Sequence, residues 1–154
     1  MNSSRFLLWC AVALVICSAV SMSQAALIIS QYYEGASNNK WIEIYNAGSE
    51  SVDLTAGAYR LGRWDNANRE AWKTGTAPAG SIALSNSIAP NATYLVRNTS
   101  ATLPAYATAD LASGTLTFNG DDSVVLYTGA TYAFANVVDA FGMTATQGLD
   151  RSFV

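Results

Sequence analysis

Residues 30–48 read SQYYEGASNNKWIEIYNAG. Four aromatic rings and the charged side chains of Glu34, Lys40 and Glu43 crowd around Asn38-Asn39. The stretch is either a site or a piece of scaffold, and the choice decides the fold. The second half alternates. Ile42 and Ile44 fall on one side of an extended chain, and Trp41, Glu43 and Tyr45 on the other. That period of two makes one face core and the other solvent or rim. Gly35 through Asn39 then reads as a hairpin turn, because Gly and Asn accept positive φ and Asn and Ser cap nearby backbone groups. The flanking aromatics are expected to pair across the strands. The competing reading makes Glu34 and Glu43 a carboxylate pair, as metal ligands or as acid and base. The scaffold reading is the one the residue types favour.

The same grammar continues outward. After residue 26, short β-type runs alternate with Gly, Asn, Asp, Ser and Pro clusters, and no 3.6-residue period is sustained. Runs are expected at residues 27–33, 40–46, 51–54, 59–64, 81–84, 92–97, 116–118, 123–127 and 134–141. Eight or nine strands at this spacing predict an all-β, two-sheet sandwich. The ending GLDRSFV opens a further strand at residues 152–154, where the chain stops. We expect a domain over residues 26–154, with three readings of its end left open: a bare terminus inside that strand, a truncation, or excision from a longer protein.

Residues 1–25 have the form of an export signal. Arg5 precedes an apolar run from Phe6 to Val20, and Ser23-Gln24-Ala25 supplies small residues for cleavage before Ala26. The run is short for a membrane span. Both cysteines, Cys10 and Cys17, lie inside this segment. A mature chain of residues 26–154 would have no thiol, and hence no disulfide and no zinc-thiolate site. It would be secreted, with no membrane span. Of 8 basic and 11 acidic residues only Arg5 is in the segment, so the remainder carries 7 against 11, a net −4. That balance argues against coating nucleic acid by charge alone. The chain has no histidine. Ser-His-Asp triads, Cys-His pairs and His-ligated metals are thereby excluded.

Two further stretches carry candidate chemistry. Asn119-Gly120-Asp121-Asp122 could present carboxylates to a hard cation, but it lacks the spaced acids of known calcium loops, so a β-turn is expected. Residues 59–73, YRLGRWDNANREAWK, form the one dense basic and aromatic cluster. Arg60, Arg63, Arg69 and Lys73 stand against Asp65 and Glu70, with Trp64 and Trp72 among them. Arginines beside a flat ring can hold a base or a sugar. The alternative is a strand whose tryptophans pack inward while its charges are solvated. These six residues are the candidate binding set, for a nucleic acid or polysaccharide held weakly, or for another protein. No catalytic residue, metal or cofactor is expected.

The motifs taken together resemble the bacterial lamin-tail domain. Residues 27–64, LIISQYYEGASNNKWIEIYNAGSESVDLTAGAYRLGRW, are similar to its opening, and FNGDDSVVLYTG (118–129) with VVDAFG (137–142) to its later signature. The resemblance implies an immunoglobulin-like β-sandwich of lamin-tail type. It implies a non-catalytic secreted module for binding or assembly. It also implies an alternative: the N-terminal module of an extracellular nuclease whose endonuclease/exonuclease/phosphatase-type domain is absent from this chain. Two departures stand out. Gln31 occupies a position where the family usually has Glu, and Ala56-Gly57-Ala58 adds residues before Tyr59, which predicts a longer turn there.

Overall fold

The computed structural model describes residues 27–142. The export signal at 1–25 and the expected strand at 152–154 lie outside them. Among the described residues ten strands make two four-stranded sheets and a two-stranded clip. The first sheet has the order β1 (Leu27–Glu34), β2 (Lys40–Asn46), β7 (Thr93–Arg97), β8 (Leu111–Ala112). The second has the order β10 (Val137–Phe141), β9 (Ser123–Thr128), β4 (Tyr59–Trp64), β5 (Gly80–Ala83). The clip joins β3 (Val52–Asp53) to β6 (Ser87–Ile88). All pairings are antiparallel except β7 with β8. The architecture is the expected immunoglobulin-like sandwich.

The 30–48 stretch is scaffold. Gly35 N–H donates to the Asn39 carbonyl at 2.8 Å, Asn39 N–H to Ala36 at 3.1 Å, and Ser37 takes a φ of 56°. A Cβ on Gly35 would sit 2.9 Å from the Asn39 carbonyl oxygen, so the turn needs glycine there. Across the hairpin Tyr33 stacks on Trp41 with centroids 3.5 Å apart. Ile42 and Ile44 face inward with Tyr32, Tyr94 and Val96, against Leu61, Ile82, Val124 and Leu126 of the second sheet. At the seam between β1 and β10, Ile29 N–H donates to Asp139 Oδ2 at 2.7 Å, next to a bulge in β1. The turn before Tyr59 is long, with Gly57 N–H bonded to the Asp53 carbonyl and Ala58 at φ 50°.

Some expected elements differ. Residues 116–118 are not a strand. Leu116 and Phe118 plug the core, and the Leu116 carbonyl accepts from Asn98 Nδ2 at 2.9 Å rather than from a ladder. The edge position goes to β8, parallel to β7. Strands β6 and β8 are two residues long, too short to show a period. The 134–141 run divides into a 3-10 turn, Phe134–Asn136, and β10. Among the described residues no helix is long and apolar enough to cross a membrane.

Candidate functional site

The basic segment does not form one surface. In β4, Leu61 faces the inter-sheet core, so Arg60, Gly62 and Trp64 point to the opposite, outer face of the second sheet. That face is covered. Trp64 and Trp72 are 1% and 6% exposed and pack with Val125, Tyr127 and Tyr132 in a second core. Trp64 Nε1 donates to the Thr76 carbonyl at 2.9 Å, and its ring meets Tyr132 edge-on at 4.7 Å. A Cβ on Gly62 would lie 2.7 Å from the Trp64 ring, so glycine lets the ring lie flat on the sheet. Neither tryptophan offers a face for stacking, which corrects that part of the sequence expectation. Apolar burial outweighs anything a solvent-facing ring would gain.

The cations are dispersed and occupied. Arg60 Nε donates to Ser81 Oγ at 2.8 Å, and Ser81 Oγ is bonded to Tyr127 Oη at 2.8 Å. Arg63, on the other face of β4, pairs with Asp65 at 2.7 Å and donates to the carbonyl and Oγ1 of Thr117. Arg69 Nη1 donates to the Asn66 carbonyl at 3.0 Å. Lys73 reaches Glu70 at 3.5 Å and lies over the Trp72 ring. The sequence brings these four together only in one dimension.

The candidate acids are also structural. Glu34 opposes Lys40 on the inner face of the hairpin, whereas Glu43 opposes Gln31 on the outer face. The sheet therefore separates the two carboxylates that the sequence set nine residues apart. Glu34 Oε1 pairs with Lys40 Nζ at 3.2 Å, with the two side chains 6% and 5% exposed. Its Oε2 accepts from Tyr32 Oη at 3.2 Å, and burial among these acids pushes the Tyr32 phenol far above its usual range. The Asn119–Asp122 segment is the expected β-turn, with Asp122 N–H donating to the Asn119 carbonyl at 2.8 Å. Asp122 carries one oxygen to Asn119 N–H at 2.7 Å and the other to Asn66 N–H at 2.8 Å. Burial raises its carboxyl, while these two backbone donors pull it back. The Asn66 amide, with its nitrogen turned to the acid, donates to Asp121 at 2.7 and 2.9 Å. This turn thus pins the 65–69 loop.

The outer face of the first sheet is different. It carries an open cleft of about 330 Å³ that the sequence did not reveal. Its floor is the cross-strand row Gln31, Glu43, Leu95, flanked by Trp41 and Thr93. Its wall is the loop from Leu103 to Asp110, with Tyr106 at 92% exposure. The loop is anchored: Thr102 N–H donates to Asn39 Oδ1 at 3.0 Å, and Asp110 exchanges two bonds with the backbone of Leu95. Trp41 and Glu43 were legible as outward positions of β2. Tyr106 sits in a Pro-Ala-Thr stretch with no period and could not be placed.

The family comparison agrees with the fold. A family model described as Lamin Tail Domain matches residues 21–144, most of the chain. No curated protein matches the sequence.

Proposed function

The chain belongs to the lamin tail domain family, and from that premise we propose that it acts as a non-catalytic, exported module for binding or assembly. One observation carries the reading. The outer face of the second sheet is sealed by the Trp64–Trp72 core, whereas the outer face of the first is open, concave and aromatic. A concave surface with rigid walls and an exposed ring suits recognition. The acids at the hairpin and at the Asn119 turn serve as hydrogen-bond acceptors for backbone and side chains, which supports a role other than proton transfer.

Two tests follow from this reading. Expressed in a host that exports it, the protein should give an intact mass beginning at Ala26. A mature form that keeps Cys10 and Cys17 would point to an uncleaved anchor. The exported protein should also leave DNA and phosphate esters intact with magnesium, manganese or calcium. Without histidine or cysteine, such hydrolysis would need a metal held by carboxylates, and among the described residues no group of three or more acids is placed to hold one. Divalent-dependent cleavage that copurifies with the protein and vanishes in Glu43→Gln or Asp121→Asn would defeat the proposal.

A further inference from the structure

We propose that the cleft on the outer face of the first sheet holds a lysine or arginine side chain of a basic polypeptide partner. The inference deepens the binding-module reading and rests on it.

The charge of the lining selects the ligand. Among the described residues, Glu43 and Asp110 line the cleft and no lysine or arginine does. Each carboxylate is held by one oxygen. Glu43 Oε1 accepts from Ser30 Oγ at 2.7 Å, and Asp110 Oδ2 accepts from Leu95 N–H at 2.7 Å. Among the described residues the second oxygen of each has no hydrogen-bond partner. Arg97, which opposes Trp41 on β7, is the cation that shares this outer face among the described strand residues of the sheet. Its Nη1 is drawn away by the carbonyls of Asn98, Thr99 and Ala101 at 3.2, 3.0 and 3.0 Å. Two oriented acids thus face the cleft without a counter-charge, on a chain that is acidic as a whole.

The rings supply the rest. Trp41 is fixed by its stack on Tyr33, 3.5 Å away at an interplanar angle of 7°. Tyr106 projects from the anchored wall. An ammonium or guanidinium over such rings is attracted by their π faces while its alkyl stem covers apolar surface. A charge-assisted hydrogen bond to a carboxylate oxygen fixes its head. A polyanion is repelled by the same two acids. A neutral sugar could use the rings and the acceptor oxygens, but it would leave both charges uncompensated. The cleft is pre-formed by backbone bonds of the wall, so little ordering is lost on binding.

The test is calorimetric titration of the exported protein with hexalysine at low salt, beside a neutral hexasaccharide and a single-stranded deoxythymidine oligomer. Hexalysine should bind, more weakly as salt rises, and the other two should not. Glu43→Gln/Asp110→Asn should weaken hexalysine binding about ten-fold or more. Tyr106→Ala should weaken it roughly three-fold with the melting temperature unchanged, since that ring touches solvent on nearly all sides. Absence of hexalysine binding, or equal binding by all variants, overturns the proposal. Binding of the hexasaccharide in its place, lost in Tyr106→Ala, also overturns the cationic assignment but leaves the binding-module reading standing. Turnover of a substrate would instead remove that reading.

Discussion

Trp64→Ala should lower the stability of the domain by roughly 3–5 kcal/mol, the usual cost of emptying a buried aromatic site. For a domain of this size that is a fall of roughly 10–20 °C in Tm. The ring is 1% exposed and lies over Gly62 and against Tyr132. Its removal opens a void beneath the 65–76 loop and strands the Thr76 carbonyl that its indole N–H now satisfies. Native proteins stand only about 5–15 kcal/mol above unfolding, so the variant should sit near the edge of folding at body temperature. Thermal denaturation followed by near-ultraviolet circular dichroism measures the effect. A shift of less than about 1 kcal/mol would show that the ring is not part of a packed core.

The second large effect is expected at the buried ion pair. Lys40→Met alone should cost about 3–5 kcal/mol, because it removes, among the described residues, the only ammonium within ion-pair reach of the Glu34 carboxylate, a charge held in a buried site. Lys40 is enclosed by Glu34 at 3.2 Å and by the Phe118 ring, 5.6 Å from its centroid. Glu34→Gln should be costly for the converse reason, leaving the ammonium uncompensated. The double variant Lys40→Met/Glu34→Gln should recover most of the loss. The new amide can still accept from Tyr32 Oη, and no bare charge remains. A double-mutant cycle reads this as strong coupling. Additive losses in the two single variants would mean that the pair is solvated and that the hairpin does not depend on it.

These two sites show what could be read from the sequence. The β2 strand was legible because burial of one face imposes a strict period of two, and Ile42 and Ile44 obey it; that Lys40 continues the buried row was not read. The turn at Gly35–Asn39 was legible because it is local chemistry. Trp64 was read two ways, as an open ring for stacking and as a ring packed inward, and the second holds. By alternation it belongs to the outer face of β4, with Arg60. It is buried because a loop from after β4 and the 129–136 segment fold over that face, and such cover is set by distant residues. The split between Arg60 and Arg63, one on each side of the strand, follows from alternation alone once residues 59–64 are a strand, and grouping the cations by sequence proximity passed over it. Leu116–Phe118 misled because an apolar, β-type run can also be a plug whose backbone bonds to a side chain. The cleft escaped because its floor comes from three strands and its wall from a loop without pattern, joined only by register.

The most direct test of the account is amide chemical-shift mapping of the exported protein during titration with hexalysine. The account predicts shifts gathered at Gln31, Trp41, Glu43, Leu95 and Asp110, with Arg60, Arg63, Arg69 and Lys73 unmoved. Shifts centred on those four basic residues, or a spectrum that does not change, would contradict it.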